Sequence, residues 1–313
     1  MRGTKFRGRS TCPVGSLQHD AAVSSMLTHC ALALTRALAR LPLHWLRGIG
    51  ALWGHVLYAV VARRRHVVQI NLRRCFPDLS ESQVQVLARR VFVRFAQAWF
   101  DRGWLWSGND DLVRQRLRLT GHLDALAGAA PTVLFAPHFV GLDAGWTALT
   151  MALPRHFTTI YTHQANKIVD TWVLQGRRRY GSAQLFGRRD GVKTIVAALK
   201  KGDPLYLLPD MDFGVRESVF VPFYGINTAT VSSLSRFARL AGAQVVPVVT
   251  RMTEAGYEVQ VFAPWADFPT DDPLADTALM NARLQTYIDA MPEQYYWVHK
   301  RFKSRPAGEA SFY

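Results

Sequence analysis

The sequence predicts an α/β protein: a central mixed sheet flanked by helices, with a basic, apolar helical region ahead of it. Two observations carry this. From residue 132 onward, short apolar runs alternate with stretches of helical periodicity, as when helices cover the faces of a sheet. Before residue 120, apolar residues recur at helical spacing and positive charge accumulates. The chain has 313 residues, 49% hydrophobic and 19% charged, too apolar for a disordered chain and too charged for a multi-span membrane protein. Its formal net charge of +15 is local: residues 1–119 hold 19 Lys and Arg against 6 acids, residues 120–313 hold 19 against 17.

Taken in order, residues 1–25 are basic, Gly/Ser-rich and aperiodic, the pattern of a disordered tail or an over-extended start upstream of Met26. The apolar run Ala31–Leu34 is short and meets Arg36 and Arg40, which argues against a secretory signal. Residues 26–119 are expected to form a membrane-associated helical region and 120–313 the α/β domain, with 26–313 one structural unit. Within the first region, residues 41–62 are mostly apolar, but only the 15 residues from Gly48 to Ala62 lack Lys, Arg, Asp and Glu. A span needs about 20 apolar residues, so this is either a marginal transmembrane helix or one lying in the interface, with a buried core helix as the alternative. Arg63, Arg64 and Arg65 come directly after it, a cluster suited to an anionic membrane surface, and the excess of positive charge puts the rest of the chain on the cytoplasmic side. Ser80 with Gln83 three positions on forms a capping box that opens a helix to about Arg102.

The strands expected next are Thr132–Ala136, Thr158–Tyr161, Pro204–Leu208, Ser218–Val221, Gln244–Val249 and Tyr257–Phe262. The expected helices are Leu142–Leu153, Lys167–Tyr180, Val192–Lys201, Thr230–Ala241 and Asp276–Ala290.

At the end of the first of these strands stands Pro137-His138-Phe139-Val140-Gly141-Leu142-Asp143. His138 leaves a buried strand at its carboxyl end, where open α/β sheets place ligands, and Asp143 falls in the first turn of the next helix. A carboxylate folding back onto the imidazole would fix its tautomer and leave the other ring nitrogen free to take a proton from a hydroxyl. The same residues equally suit a loop histidine followed by an acid on the helix dipole. No Gly-x-Ser-x-Gly motif and no cysteine near His138 supplies a nucleophile, so direct transfer to a substrate hydroxyl is expected. Arg188 and Arg189 after Gly187, and Asp210 and Asp212 after a buried strand, are candidate substrate-binding groups, or else ion pairs that organise turns. Cys12, Cys30 and Cys75 lack CxxC spacing, and no His-Glu-x-x-His or paired-His motif occurs, so neither disulfide nor metal is expected.

Five segments in order resemble one family: Asn71-Leu-Arg-Arg-Cys-Phe-Pro-Asp-Leu-Ser80, the His138/Asp143 pair, Gly187-Arg-Arg-Asp190, Pro209-Asp-Met-Asp-Phe-Gly214 with Phe220-Val-Pro222, and Trp297-Val-His-Lys-Arg-Phe-Lys-Ser-Arg-Pro306. Together, over about residues 26–309, they resemble the late (secondary) lipid A acyltransferases of Gram-negative bacteria. The resemblance implies a glycerolipid acyltransferase-like fold, whose hallmark is a His-x4-Asp pair, and an enzyme at the cytoplasmic face of the inner membrane. It also implies acyl carrier protein as thioester donor, a lipid A precursor as acceptor, and no further cofactor. The family often has Glu where this chain has Asp143.

His138 oriented by Asp143 is then expected to deprotonate a hydroxyl of the acceptor, with Arg188 or a backbone N–H stabilising the oxyanion and no acyl-enzyme formed. The dyad alone would equally serve a lysophospholipid, another glycolipid, or water in a thioester hydrolase. A peripheral membrane-binding protein is the non-enzyme alternative. Nucleic acid is disfavoured, because the positive charge abuts an apolar helix rather than interleaving with aromatics.

Overall fold

The computed structural model describes residues 14–187 and 189–313. Residues 1–13, with Cys12, and Arg188 lie outside the described residues. A first helix, α1 (Val14–Leu38), starts upstream of Met26, so the part of the expected tail from Val14 onward is helical. Helices α2 (Leu43–Val60), α3 (Ala62–Cys75) and α4 (Glu81–Ser107) come next, and α5 (Asp110–Arg116) leads into the sheet. The capping box forms as the sequence predicts: Ser80 Oγ accepts from Gln83 N–H and Gln83 Oε1 accepts from Ser80 N–H.

Helix α2 lies along α4 because two glycines let the backbones meet. A methyl group on Gly54 would stand 2.5 Å from Val93 Cα, and one on Gly50 3.0 Å from Gln97 Cα. Between the two helices Arg47 and Asp101 form a buried ion pair at 3.0 Å, completed by Tyr257 Oη and Trp104 Nε1 donating to Asp101. Among the described residues no single helix is long and apolar enough to cross a membrane; α2 and α3 meet that test only together, and they are bent by 94°.

The remaining elements are β1 (Leu117–Gly121), β2 (Thr132–Phe135), α6 (Leu142–Ala152), β3 (His156–Tyr161), α7 (Lys167–Arg177), β4 (Ser182–Gly187), α8 (Gly191–Lys200), β5 (Leu205–Leu207), β6 (Val219–Phe223), β7 (Ile226–Thr230), α9 (Ser233–Ala241), β8 (Gln244–Thr253), β9 (Gly256–Val261) and α10 (Pro273–Asp289). Seven strands form one mixed sheet in the order β1-β9-β8-β2-β5-β3-β4, parallel except for the β8–β9 hairpin, as the fold class requires. The sequence reading missed the edge strands β1 and β4. The expected strand at Ser218–Val221 lies outside this sheet: β6 pairs with β7 through a Tyr224-Gly225 turn whose two positive φ angles, 50° and 73°, suit a tight hairpin. The core joins Val68, Leu72 and Val84 of the helical region to Phe135, Phe139 and Val245 around the sheet.

Candidate active site

Central strands β2 and β5 pair side by side, Phe135 opposite Leu207, and the loops leaving their carboxyl ends start together, Ala136 N–H donating to Leu207 O at 2.9 Å. That adjacency brings His138 and Asp210 into contact. His138 Nδ1 donates to Asp210 Oδ1 at 2.8 Å, and His138 backbone N–H donates to Oδ2 at 3.0 Å. Tyr295 Oη donates to the same Oδ2 at 3.0 Å. Asp210 is fully buried. Burial pushes its carboxyl up, but the His138 charge and these hydrogen bonds outweigh that and hold it below the ordinary carboxylate range. His138 keeps a partly exposed side chain, at 22%, and Nε2 has no partner among the described residues.

Asp143, expected to orient His138, is engaged elsewhere. On the first turn of α6 it accepts from Arg102 Nε of α4 at 2.8 Å and from Arg177 Nε at the end of α7 at 2.8 Å. The reason is charge: a buried carboxylate is compensated better by two guanidinium groups than by one imidazole, and Asp210 already occupies that imidazole. Burial pushes the Asp143 carboxyl up, and Arg177 and Arg102 together bring it below its ordinary value. Arg102 stacks on Trp99 and Trp106, at 5.2 and 5.7 Å from the ring centroids, and Arg177 on Tyr161 at 5.5 Å.

Asp212, a candidate substrate-binding group in the sequence, makes its hydrogen bonds within the fold. Its carboxylate accepts from Gly214 N–H, Ser304 N–H and Ser304 Oγ at 2.7–2.9 Å, and its own N–H donates to His299 Nε2 at 3.3 Å. Asp210 likewise has both oxygens engaged. Arg189 is exposed in the turn after β4. That turn follows β4, the edge strand three positions from β2 in the sheet. Among the described residues no group of three or more His, Cys, Asp or Glu is placed to hold a metal ion.

Arg102, Arg177 and Tyr295 were missed by the sequence reading. Each comes from an element remote in sequence from His138, and no local spacing marks them. The closing segment, which carried no role at the sequence level, turns out to be the brace behind the site. Asn71 Nδ2 donates to Trp297 O and His299 O, both at 2.8 Å, and Arg301, fully buried, donates to Ala229 O and Thr230 Oγ1, both at 2.9 Å.

A family model described as bacterial lipid A biosynthesis acyltransferase matches residues 17–304, nearly the whole chain. This chain belongs to that family. Among curated relatives, a lipid A biosynthesis lauroyltransferase of Escherichia coli (strain K12) is 31% identical over 297 residues, covering 87% of this chain and 96% of the relative. A palmitoleoyltransferase of the same strain is 31% identical over 298 residues, 87% of this chain and 95% of the relative. A lipid A biosynthesis acyltransferase of Haemophilus influenzae (strain ATCC 51907 / DSM 11121 / KW20 / Rd) is 32% identical over 254 residues, 79% of this chain and 78% of the relative. The lipid A acyltransferase described here is therefore an O-acyltransferase of secondary lipid A acylation, and its mixed sheet flanked by helices is the glycerolipid acyltransferase-like architecture expected of it.

Proposed function

We propose that the enzyme moves a fatty acyl chain from an acyl carrier protein thioester to the 3-hydroxyl of a hydroxyacyl chain on a lipid A precursor, at the cytoplasmic face of the inner membrane. The observation that carries the chemistry is the His138 ring, held at Nδ1 and open at Nε2. Nε2 takes the hydroxyl proton as the oxygen attacks the thioester carbonyl. The tetrahedral oxyanion collapses, the carbon–sulfur bond breaks, and the imidazolium returns its proton to the leaving thiolate. The dyad drawn from the sequence divides here: His138 does proton transfer, while Asp143 holds Arg102 and Arg177, whose remaining N–H groups serve the developing oxyanion or an anionic part of the substrate. The turn carrying Arg188 and Arg189 is assigned to outlying phosphate groups of the acceptor.

The membrane assignment draws on the outer faces of α1 and α2. Trp45, Leu52 and Val60 are exposed at 64%, 68% and 68%, and Leu27, Leu34 and Trp53 are exposed with them. Tryptophans beside aliphatic side chains suit the interfacial layer, and exposed Arg63 and Arg64 add attraction to anionic lipid. Arg65 is partly committed to the fold, donating to Tyr58 O and Ala59 O at the end of α2.

The test is to incubate membranes carrying the protein with carrier-protein thioesters of several chain lengths and a tetra-acylated lipid A precursor, then to read products by mass spectrometry. A mass gain of one acyl group is expected, lost by roughly 10²–10⁴-fold in His138→Ala. A His138→Ala protein that keeps more than about a tenth of wild-type turnover would remove His138 as base. Free fatty acid or acylated phospholipid without acylated lipid A would transfer the assignment to a hydrolase or to another acceptor.

A further inference from the structure

The proposed mechanism uses His138 and leaves unused a second imidazole beside it. Of the ionisable groups around the His299 ring, His138 is the one whose charge acts on it most strongly. One loop holds both rings, through Asp210 and Asp212, and it holds them in opposite senses. The Asp210 carboxylate accepts from His138 Nδ1 and so leaves a lone pair on Nε2. The Asp212 backbone N–H instead donates to His299 Nε2 at 3.3 Å, which puts the proton of the neutral His299 ring on Nδ1. That Nδ1 has no hydrogen-bond partner among the described residues, and the side chain is only partly buried.

Both backbone polar groups of His299 are held. Its N–H donates to Tyr296 O at 3.2 Å, and Tyr296 N–H donates to His138 O at 3.0 Å, which ties this turn to the loop of the base. Side chains of α3 take three successive carbonyls: Asn71 Nδ2 donates to Trp297 O and His299 O, and Arg64 Nη1 donates to Val298 O at 3.1 Å. Asp212 is fixed in turn, its carboxylate accepting from Gly214 and Ser304. The Nδ1–H donor is therefore set in place before any substrate arrives, as stabilisation of a developing negative charge requires. Its charge state suits the same task. Burial, then the positive charges of His138 and Arg301, push the ring down to about 4, so it is neutral at neutral pH. An imidazolium here would oppose the proton that His138 has to take, whereas a neutral N–H polarises a carbonyl without that repulsion.

We infer that His299 is a second catalytic residue: its Nδ1–H donates to the thioester carbonyl oxygen and holds the oxyanion that forms when the acceptor oxygen attacks. The inference rests on the proposed reaction, with His138 as the base and a thioester as the donor. His299 keeps its proton throughout. The proton in flight passes from the acceptor hydroxyl to His138 Nε2 and on to the leaving sulfur, as the carbon–oxygen bond forms and the carbon–sulfur bond breaks. With the oxyanion assigned to His299, Arg102 and Arg177 are left for an anionic part of the substrate, and the closing Trp-Val-His-Lys-Arg-Phe segment gains a chemical role.

The experiment uses the full chain in detergent micelles, with steady-state kinetics of acyl transfer and imidazole nitrogen NMR of histidine-labelled protein, His299→Gln identifying the resonance. Wild type is expected to show His299 as the neutral Nδ1–H tautomer at neutral pH. His299→Gln keeps an acceptor for the Asp212 N–H but loses the Nδ1 donor, and kcat is expected to fall about 10²–10³-fold with KM within about threefold. His299→Asn, whose amide N–H falls near the place of Nδ1, is expected to be about tenfold or more faster than His299→Gln. A packing role alone predicts the reverse order, because glutamine fills more of the space of the ring and keeps the Asp212 bond. The inference falls if a folded His299→Gln protein keeps kcat within about threefold of wild type, if His299→Asn is no faster than His299→Gln, or if the wild-type ring carries its proton on Nε2. Should His299→Gln not fold, His299→Asn identifies the resonance and the tautomer decides. An oxyanion forms whichever hydroxyl or water attacks, so if wild type leaves the lipid A precursor unacylated, the variants are compared on release of the carrier-protein thiol. That failure would count against the proposed acceptor, and the order of the variants would still decide the role of His299.

Discussion

His299 stands close to His138 and in the opposite electrostatic state to Asp210. Burial first, then the positive charges of His138 and Arg301, push its ring down to about 4. Its Nε2 accepts the Asp212 N–H, a bond only the neutral ring can accept there. An unfolded histidine titrates near 6.5, so between about pH 6.5 and 4 the unfolded chain binds the extra proton. The stability from keeping this ring neutral is thus whole above about pH 6.5 and is lost as pH falls through about 4, on the order of 3 kcal/mol. Asp143 and Asp210, both lowered, lose their contributions lower still, as the pH falls below the ordinary carboxylate range. Melting temperature should therefore fall on acidification from pH 7, and His299→Gln, which keeps an acceptor for Asp212 N–H but does not titrate, should blunt the fall between pH 6.5 and 4. Thermal melts across that range check this; an identical slope in the variant would show that another group governs it.

At the scale of elements, α2 has two faces with separate duties. Its glycine face must stay smooth for the backbone of α4, and its outer face carries Trp45, Leu52, Trp53 and Val60 into solvent. Gly54→Val would drive side-chain carbon into Val93 Cα and Phe92 O, which are backbone atoms with nowhere to move. A loss of about 1–3 kcal/mol or more is expected, read by denaturant unfolding. Leu52→Glu with Val60→Glu should leave the melting temperature within a degree or two of wild type and sharply reduce flotation with vesicles, since both side chains are 68% exposed. Equal flotation of the double variant would assign membrane contact to a different surface. The β6–β7 hairpin serves the site instead. With Arg301 donating to Ala229 O and Thr230 Oγ1, it anchors the segment that carries Tyr295 and His299.

Across the whole molecule, positive charge and exposed apolar surface coincide at the amino-terminal end, and residues 120–313, which hold nearly all of the sheet, are nearly neutral overall. Such a distribution orients the protein on an anionic surface without deciding its reaction. Arg63→Ala with Arg64→Ala should weaken binding to anionic vesicles by about 2 kcal/mol, some thirtyfold, at low ionic strength. The difference should shrink towards nothing at about 0.5 M salt, where the screening length falls to about 4 Å. Binding measured by vesicle sedimentation at both salt concentrations is the check; no loss at low salt would remove these arginines from the contact.

Local periodicity and caps sufficed for much of the architecture: the alternation from residue 132, the capping box at Ser80 and the loop that carries His138 at the end of a buried strand were all legible, because each depends on neighbours within a few positions. The edge strands β1 and β4 were not, since Leu-Arg-Leu-Thr-Gly and Ser-Ala-Gln-Leu-Phe-Gly lack the continuous apolar run of the central strands. Nor did the His-x4-Asp spacing reveal which carboxylate meets the imidazole. That choice was made by strand order: β5 lies beside β2 and delivers Asp210, while α6 turns Asp143 towards arginines from α4 and α7. By itself the sequence determined the family and the charge polarity and singled out His138 as the proposed base, all of which are written in short segments. Only the tertiary structure decided the partners of that histidine, because ion pairing in a buried site depends on which chains cross there and not on how far apart the residues stand in sequence.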